Sequence, residues 1–204
     1  MDSDTCIVDT SSLRNAASIE IGGKKLIDWT RELLNIRIPQ GVVDEVKRKY
    51  QEEKSEWEET HRMVLELEDR VKKSDKCLSF VENWLDKHAR GLYLSKKLHS
   101  GEKHCASLAL HTAARKKRRY LNFTVLDDLK AKRTLSEFLR RHGVGVVLTT
   151  PELIILIRNR NTSMTKDLAL RALAEFYQIN QDSPKTPLRQ IYEAEVTSCW
   201  ADSL

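Results

Sequence analysis

Four separated groups of acids carry the residue types that could do chemistry in this sequence: Asp9, Glu45, Glu102 and the pair Asp127 and Asp128. Gathered carboxylates repel; two unit charges about 4 Å apart cost roughly 4 kcal/mol at an effective dielectric of 20. Such a cluster is tolerated when a cation sits among the oxygens, and hard oxygen donors select Mg²⁺ or Mn²⁺ over softer metals. Ions held this way activate water and stabilise the leaving oxygen of a phosphodiester. Each acid also has a plainer use. Asp9 could close a strand, Glu45 and Glu102 could favour helix N-termini, and Asp127 or Asp128 could cap a helix. The chemistry depends on whether the four positions converge.

Convergence is set by the elements that carry them. Thr5 to Asp9 is a short apolar run ending in an acid, a buried strand with Asp9 at its carboxyl end. A polar turn at Thr10-Ser11-Ser12 leads into a weakly patterned stretch through Gly22-Gly23, after which Leu26, Ile27, Trp29, Leu33 and Leu34 fall near helical spacing. Asn35 to Pro39 reads as a second strand, ended by Pro39, which also opens a helix at its first position. That helix carries Val42, Val43, Val46 and Tyr50 and is expected to run on to about Val71. Further helices fit Leu78 to Leu85 and a segment opened by Ser100-Gly101, with Cys105, Leu108, Ala109 and Ala113 on one face. Strands at Tyr120–Leu126 and Val144–Leu148 bracket an amphipathic helix over Leu129–Arg141. Thr150 reads as an N-cap before Pro151 and a short apolar helix over Leu153–Ile157; Thr165–Tyr177 is the last convincing helix. From Asn180 onward Ser, Pro, Thr and Asp dilute the pattern, so the tail reads as loosely packed.

This order predicts an α/β fold of three α/β/α layers around a mainly parallel sheet of about four to five strands. Residues 1–160 are expected to form one domain, with 161–204 as a C-terminal helical extension and tail packed on it or appended to it. In such a sheet ligands bind beyond the carboxyl ends of the strands, where the topology switches. Asp9 and the Asp127/Asp128 pair fall at strand ends. Glu45 and Glu102 fall in the first turns of helices whose starts face that same edge.

Composition narrows the classes. The chain has 204 residues, enough for one sizeable domain, and is 40% hydrophobic and 32% charged. No apolar run approaches a membrane span, and the acidic start Met1-Asp2-Ser3-Asp4 is unlike a secretory leader, so a cytoplasmic protein is expected. Cys6, Cys77, Cys105 and Cys199 show no metal-ligand spacing; Cys6 and Cys105 read as small core residues of a reducing compartment. His88, His104 and His111 lack the i, i+4 pair of a zinc helix. The net charge of +5 is modest, but from Lys87 to Arg119 ten cations face one acid, Glu102. Lys96, Lys97, Lys103, Arg115, Lys116, Lys117, Arg118 and Arg119 are therefore candidate nucleic-acid contacts, set against the reading of a solvated, cation-capped helix end.

Taken in order, four segments resemble the PIN domain, in particular the VapC-type toxin ribonucleases and their relatives. They are Ile7-Val8-Asp9-Thr10-Ser11-Ser12-Leu13, Ile38-Pro39-Gln40-Gly41-Val42-Val43-Asp44-Glu45-Val46, Ser100-Gly101-Glu102-Lys103-His104-Cys105-Ala106 and Val125-Leu126-Asp127-Asp128-Leu129-Lys130-Ala131-Lys132-Arg133. The likeness extends through the Gly143-to-Leu156 segment and covers roughly residues 5 to 160. It implies a PIN-like fold and a Mg²⁺- or Mn²⁺-dependent endoribonuclease. By the same resemblance Asp9, Glu45, Glu102 and Asp128 are catalytic, and Asp9, Glu45, Glu102, Asp127 and Asp128 are metal ligands, directly or through water. Of the pair, Asp128 matches the family's last acid best. Thr10 and Ser11 are supporting residues, Ser11 steadying Asp9 and its waters where the family usually has Asn. The resemblance further implies RNA as substrate, a homodimer paired through helices and, for a toxin, an antitoxin docking on the Met164-to-Tyr177 helix or the tail.

Two other classes stand against this. A PIN-like scaffold could bind RNA or a protein without cutting, through the basic segment and the helices after Glu45. A phosphotransferase of the haloacid-dehalogenase type also begins with a strand ending in Asp, but it needs a second Asp two residues on, where this chain has Ser11. No Gly-rich phosphate loop is present.

Overall fold

The structure, a computed structural model, describes residues 4–88, 100–115, 121–180 and 187–198. Its centre is β1 (Thr5–Val8), a strand with all four residues buried, as a parallel strand covered on both faces must be. The chain reaches β1's partners by two excursions. The first passes α1 (Thr10–Ser18), the hairpin of β2 (Glu20–Ile21) and β3 (Lys24–Lys25), and α2 (Leu26–Leu33) to arrive at β4 (Asn35–Pro39). It continues through α3 (Gln40–Glu52), α4 (Lys54–Glu66) and a 3₁₀ turn at Glu68–Arg70 to the edge strand β5 (Val71–Lys72). The second passes α5 (Leu78–His88) and α6 (Ser100–Arg115) to β6 (Asn122–Val125), then α7 (Leu129–His142) to β7 (Val146–Leu148). Last come α8 (Thr150–Arg160), α9 (Lys166–Ile179) and α10 (Pro187–Thr197).

The five-stranded sheet has the order β5-β4-β1-β6-β7, and every pairing in it is parallel. The chain therefore leaves β1 toward one edge and returns to fill the other, so the topological switch lies beside β1. Two groups of helices cover the faces, giving the three-layer α/β/α arrangement. In one, α6 lies across β1, β4 and β6 with α3, α5 and α7 beside it; in the other, α1, α2 and α8 pack together. Cys6, Ile7 and Val8 are at most 1% exposed, and Ile36, Ile38, Val125 and Leu126 join them in the core. Among the described residues no helix is long and apolar enough to cross a membrane.

Several expectations change. The helix expected to run from Pro39 to about Val71 is two helices and a turn: it breaks at Glu53 (φ −137°, ψ 65°), which lets α4 fold back on α3 and α1 and bury Trp57, Thr60, Met63 and Val64. Pro39 ends β4 as expected, yet it precedes the helix rather than occupying its first position. The 10–12 turn is the first turn of α1, with Asp9 as its N-cap residue. Thr149, not Thr150, caps α8, because its hydroxyl and the Glu152 carboxylate exchange hydrogen bonds with each other's backbone N–H groups in a capping box. That helix extends to Arg160. The tail holds a further helix, α10, packed on α8 and α9 with Val196 fully buried.

Candidate functional site

Parallel register sets the acids in place. Val8 pairs with Val125 across β1 and β6, and Val125 with Leu148 across β6 and β7, so Asp9, Asp127 and Thr150 all emerge just past the same sheet edge. Glu45 sits in the second turn of α3, directly after β4. Glu102 sits in the first turn of α6. A cavity of about 310 Å³ opens at this edge, and Asp9, Glu45, Glu102 and Asp128 all line it. The four catalytic candidates are thus brought together from four elements.

Asp9 is 7% exposed and Glu102 4%, whereas Glu45 is half-buried and Asp128 exposed. Burial, together with the charge of Glu45, pushes the Asp9 carboxyl up to about 6, even though hydrogen bonds from Thr10 and Ser11 pull it down. Ser11 Oγ donates to Asp9 Oδ2 at 3.1 Å, and Thr10 Oγ1 donates to Glu45 Oε2 at 2.9 Å. The two supporting residues thus each orient one acid. Gly101 provides the room: a methyl group there would stand 2.8 Å from Asp9 Oδ1, 3.0 Å from Glu45 Oε2 and 3.2 Å from Thr10 Oγ1. The positive end of α6 meets two carboxylates at this point, which eases their repulsion. A second close approach seats α6 on α3, with Gly41 against the ring of His104, whose Nδ1 is 2.8 Å from Ser74 Oγ. Beneath the acids lies Cys105, whose thiol faces the Val8 carbonyl at 3.7 Å and is pushed up by burial, then by Asp9, Glu102 and Glu45.

Asp127 has other work. Its carboxylate accepts from Ser12 Oγ (3.0 Å), Asn15 Nδ2 (2.8 Å), Thr150 N (2.7 Å) and Thr150 Oγ1 (2.7 Å). It is not among the cavity-lining residues. It ties the end of β6 to α1 and to the start of α8. Asp128 has two duties: it lines the cavity, and its Oδ1 caps α7 by accepting from Lys130 N and Ala131 N.

As the side chains stand, no group of three or more His, Cys, Asp or Glu among the described residues is arranged to hold a metal ion. The four carboxylates that line the cavity nonetheless offer only hard oxygen donors, and the Asp9 carboxyl among them is raised chiefly by burial and secondarily by the charge of Glu45.

Of the basic candidates, Lys96, Lys97, Lys116, Lys117, Arg118 and Arg119 lie outside the described residues. Lys103 pairs with Glu82 at 3.4 Å. Arg115, at the far end of α6, is exposed, and its charge reaches Arg37 and His111. The cavity has cationic and aromatic neighbours that sequence reasoning missed: Arg14, Arg48, Lys49 and Trp57, with Asn15 and Asn180. For Lys49 a signal existed, since it lies one helical turn beyond Glu45. For Asn180, which reaches Asn15 Oδ1 at 3.0 Å from the end of α9, none did.

Comparisons of the chain with protein-family models, with curated proteins and with solved structures found no match.

Proposed function

We propose that this chain is a metal-dependent endoribonuclease that hydrolyses RNA phosphodiester bonds. One observation carries the reading: four carboxylates from four elements line a single cavity at the switch point of a parallel sheet. The resemblance of the segments that carry these acids to the PIN domain points the same way. Asp9, Glu45, Glu102 and Asp128 are the residues that would hold Mg²⁺ or Mn²⁺, whose contribution when bound is to lower the pKa of water and to neutralise charge on the phosphate. The chain's own part is orientation. Ser11 fixes Asp9, Thr10 fixes Glu45, and Gly101 leaves the space between them open. A water attacks phosphorus in line, and the expected products carry a 5′-phosphate and a 3′-hydroxyl. Within the same reading the protein works in the cytoplasm, where buried Cys6 and Cys105 stay reduced. Its partners are a second copy and, if it is a toxin, an antitoxin on α9 or the tail.

The test is cleavage of labelled single-stranded RNA with Mg²⁺ or Mn²⁺. Chelator and Asp9→Asn should each abolish cutting, with circular dichroism unchanged; undiminished cutting in either case sinks the proposal. A second reading, a scaffold that binds RNA or protein without cutting, draws on the absence of a ready-made three-donor group among the described residues. Calorimetric titration with Mn²⁺ separates the two, because a non-catalytic scaffold gives no heat that Asp9→Asn removes.

A further inference from the structure

An acid-lined cavity repels the polyanion it is proposed to cut, so something close by must hold phosphate. Lys49 Nζ lies 4.7 Å from the centroid of the Trp57 ring, and the Arg14 guanidinium carbon lies 5.2 Å from it. All three residues line the cavity that holds the four acids. Trp57 is only 4% exposed, so the indole is a fixed floor on which the two cations rest.

The choice of partner matters. A carboxylate would hold a cation and cancel its charge, whereas an aromatic face holds it and leaves the charge available to an anion. Among the described residues Lys49 forms no salt bridge, and its ammonium sits over the Trp57 ring. Arg14 gives one terminal nitrogen to Glu56 at 2.6 Å, and a guanidinium has further donors to offer. Arg48 lines the same cavity and, like Arg14, gives one terminal nitrogen to a carboxylate, Glu52 at 2.9 and 3.1 Å, but it does not rest on the Trp57 ring that carries the other two cations. Arg48 therefore serves as an internal control.

We propose that Arg14 and Lys49, seated on Trp57, form a phosphate clamp that grips the backbone of a single-stranded RNA beside the acid cavity. The identity of the anion rests on the nuclease reading; the clamp itself does not. Its role is to position substrate, and it touches the chain next to the reacting phosphate.

The experiment uses the full chain in chelator, where no cutting occurs, and a fluorescent single-stranded RNA oligonucleotide titrated across a range of NaCl concentrations. Removing one phosphate-bound cation should flatten the slope of log K against log salt by about 0.7. The double variant Arg14→Gln/Lys49→Gln should show a slope shallower by about 1.4 and bind at least tenfold more weakly at low salt, while Arg48→Gln matches the parent. Lys49→Arg, which keeps the charge, should bind nearly as well as the parent. If the two cations only offset the acids, the double variant keeps the parental slope, and the clamp is overturned. It is also overturned if the parent does not bind RNA in chelator. A parallel cleavage assay keeps the readings apart: a protein that binds through Lys49 and Arg14 but never cuts retains the clamp and loses the nuclease.

Discussion

At the scale of single residues, Asp9 and Asp127 divide the work that the sequence offers to both. The Asp9 carboxyl, raised to about 6 by burial and by Glu45, favours its neutral form in the folded chain. Its contribution to stability is fully present below about pH 4, where folded and unfolded chains are both protonated, and is lost as pH rises through about 6. In chelator, Asp9→Asn should remove this loss and leave the variant more stable than the parent at pH 8, by on the order of 3 kcal/mol, as urea denaturation at several pH values would reveal. Excess Mn²⁺ should raise the melting temperature of the parent and leave that of the variant where it was. Asp127 gives the opposite result. Asp127→Ala strips four donors of their acceptor and should cost about 3 kcal/mol at any neutral pH, with or without metal. The four cavity acids were legible because each stands at a strand end or a helix start, positions that periodicity locates. The division between Asp127 and Asp128 was not legible from periodicity, since adjacent residues differ only in the direction the strand end turns them; the resemblance alone favoured Asp128.

At the scale of elements, the approach of α6 to α3 positions the site. Gly41→Ala would drive a methyl to within 2.2 Å of the His104 ring, which Ser74 holds in place, so the helices must part. Overpacking of this kind costs about 1–3 kcal/mol, and it should reach the site by moving Glu45 and Glu102 away from each other. A lower urea midpoint together with weaker Mn²⁺ binding would bear this out; a lower midpoint with unchanged binding would show that the site tolerates the shift. Strands and amphipathic helices were readable from their periods. The break at Glu53 was not, because no Gly or Pro lies between Val42 and Val71 and every residue there is compatible with helix; the burial of Trp57 against α1, a tertiary matter, decides it. The two-residue strand β5 is also too short to leave a period.

At the scale of the whole molecule, the C-terminal helices are part of one body with the sheet. Arg160 bonds Asp4 at 2.8 Å, Glu175 accepts from the Glu20 backbone at 3.0 Å, and Asn180 reaches Asn15. Ending the chain after residue 180 should uncover the packing around α8 and α9 that buries Val196, and lower stability by about 2 kcal/mol or more, measured by denaturant unfolding. This integration was hidden in the sequence because α10 follows a polar stretch and only its packing makes it ordered. The strand order has a consequence of its own for synthesis. β6 must slot in beside β1, so the pocket wall that Asp128 supplies does not exist until the residues separating the two strands, roughly a hundred or more, have left the ribosome. At ordinary elongation rates that delay is on the order of 10 s, during which β1 is an apolar strand lacking a neighbour on one side. A nascent chain of this design thus lacks the assembled cavity, and exposes a sticky strand, until β6 arrives.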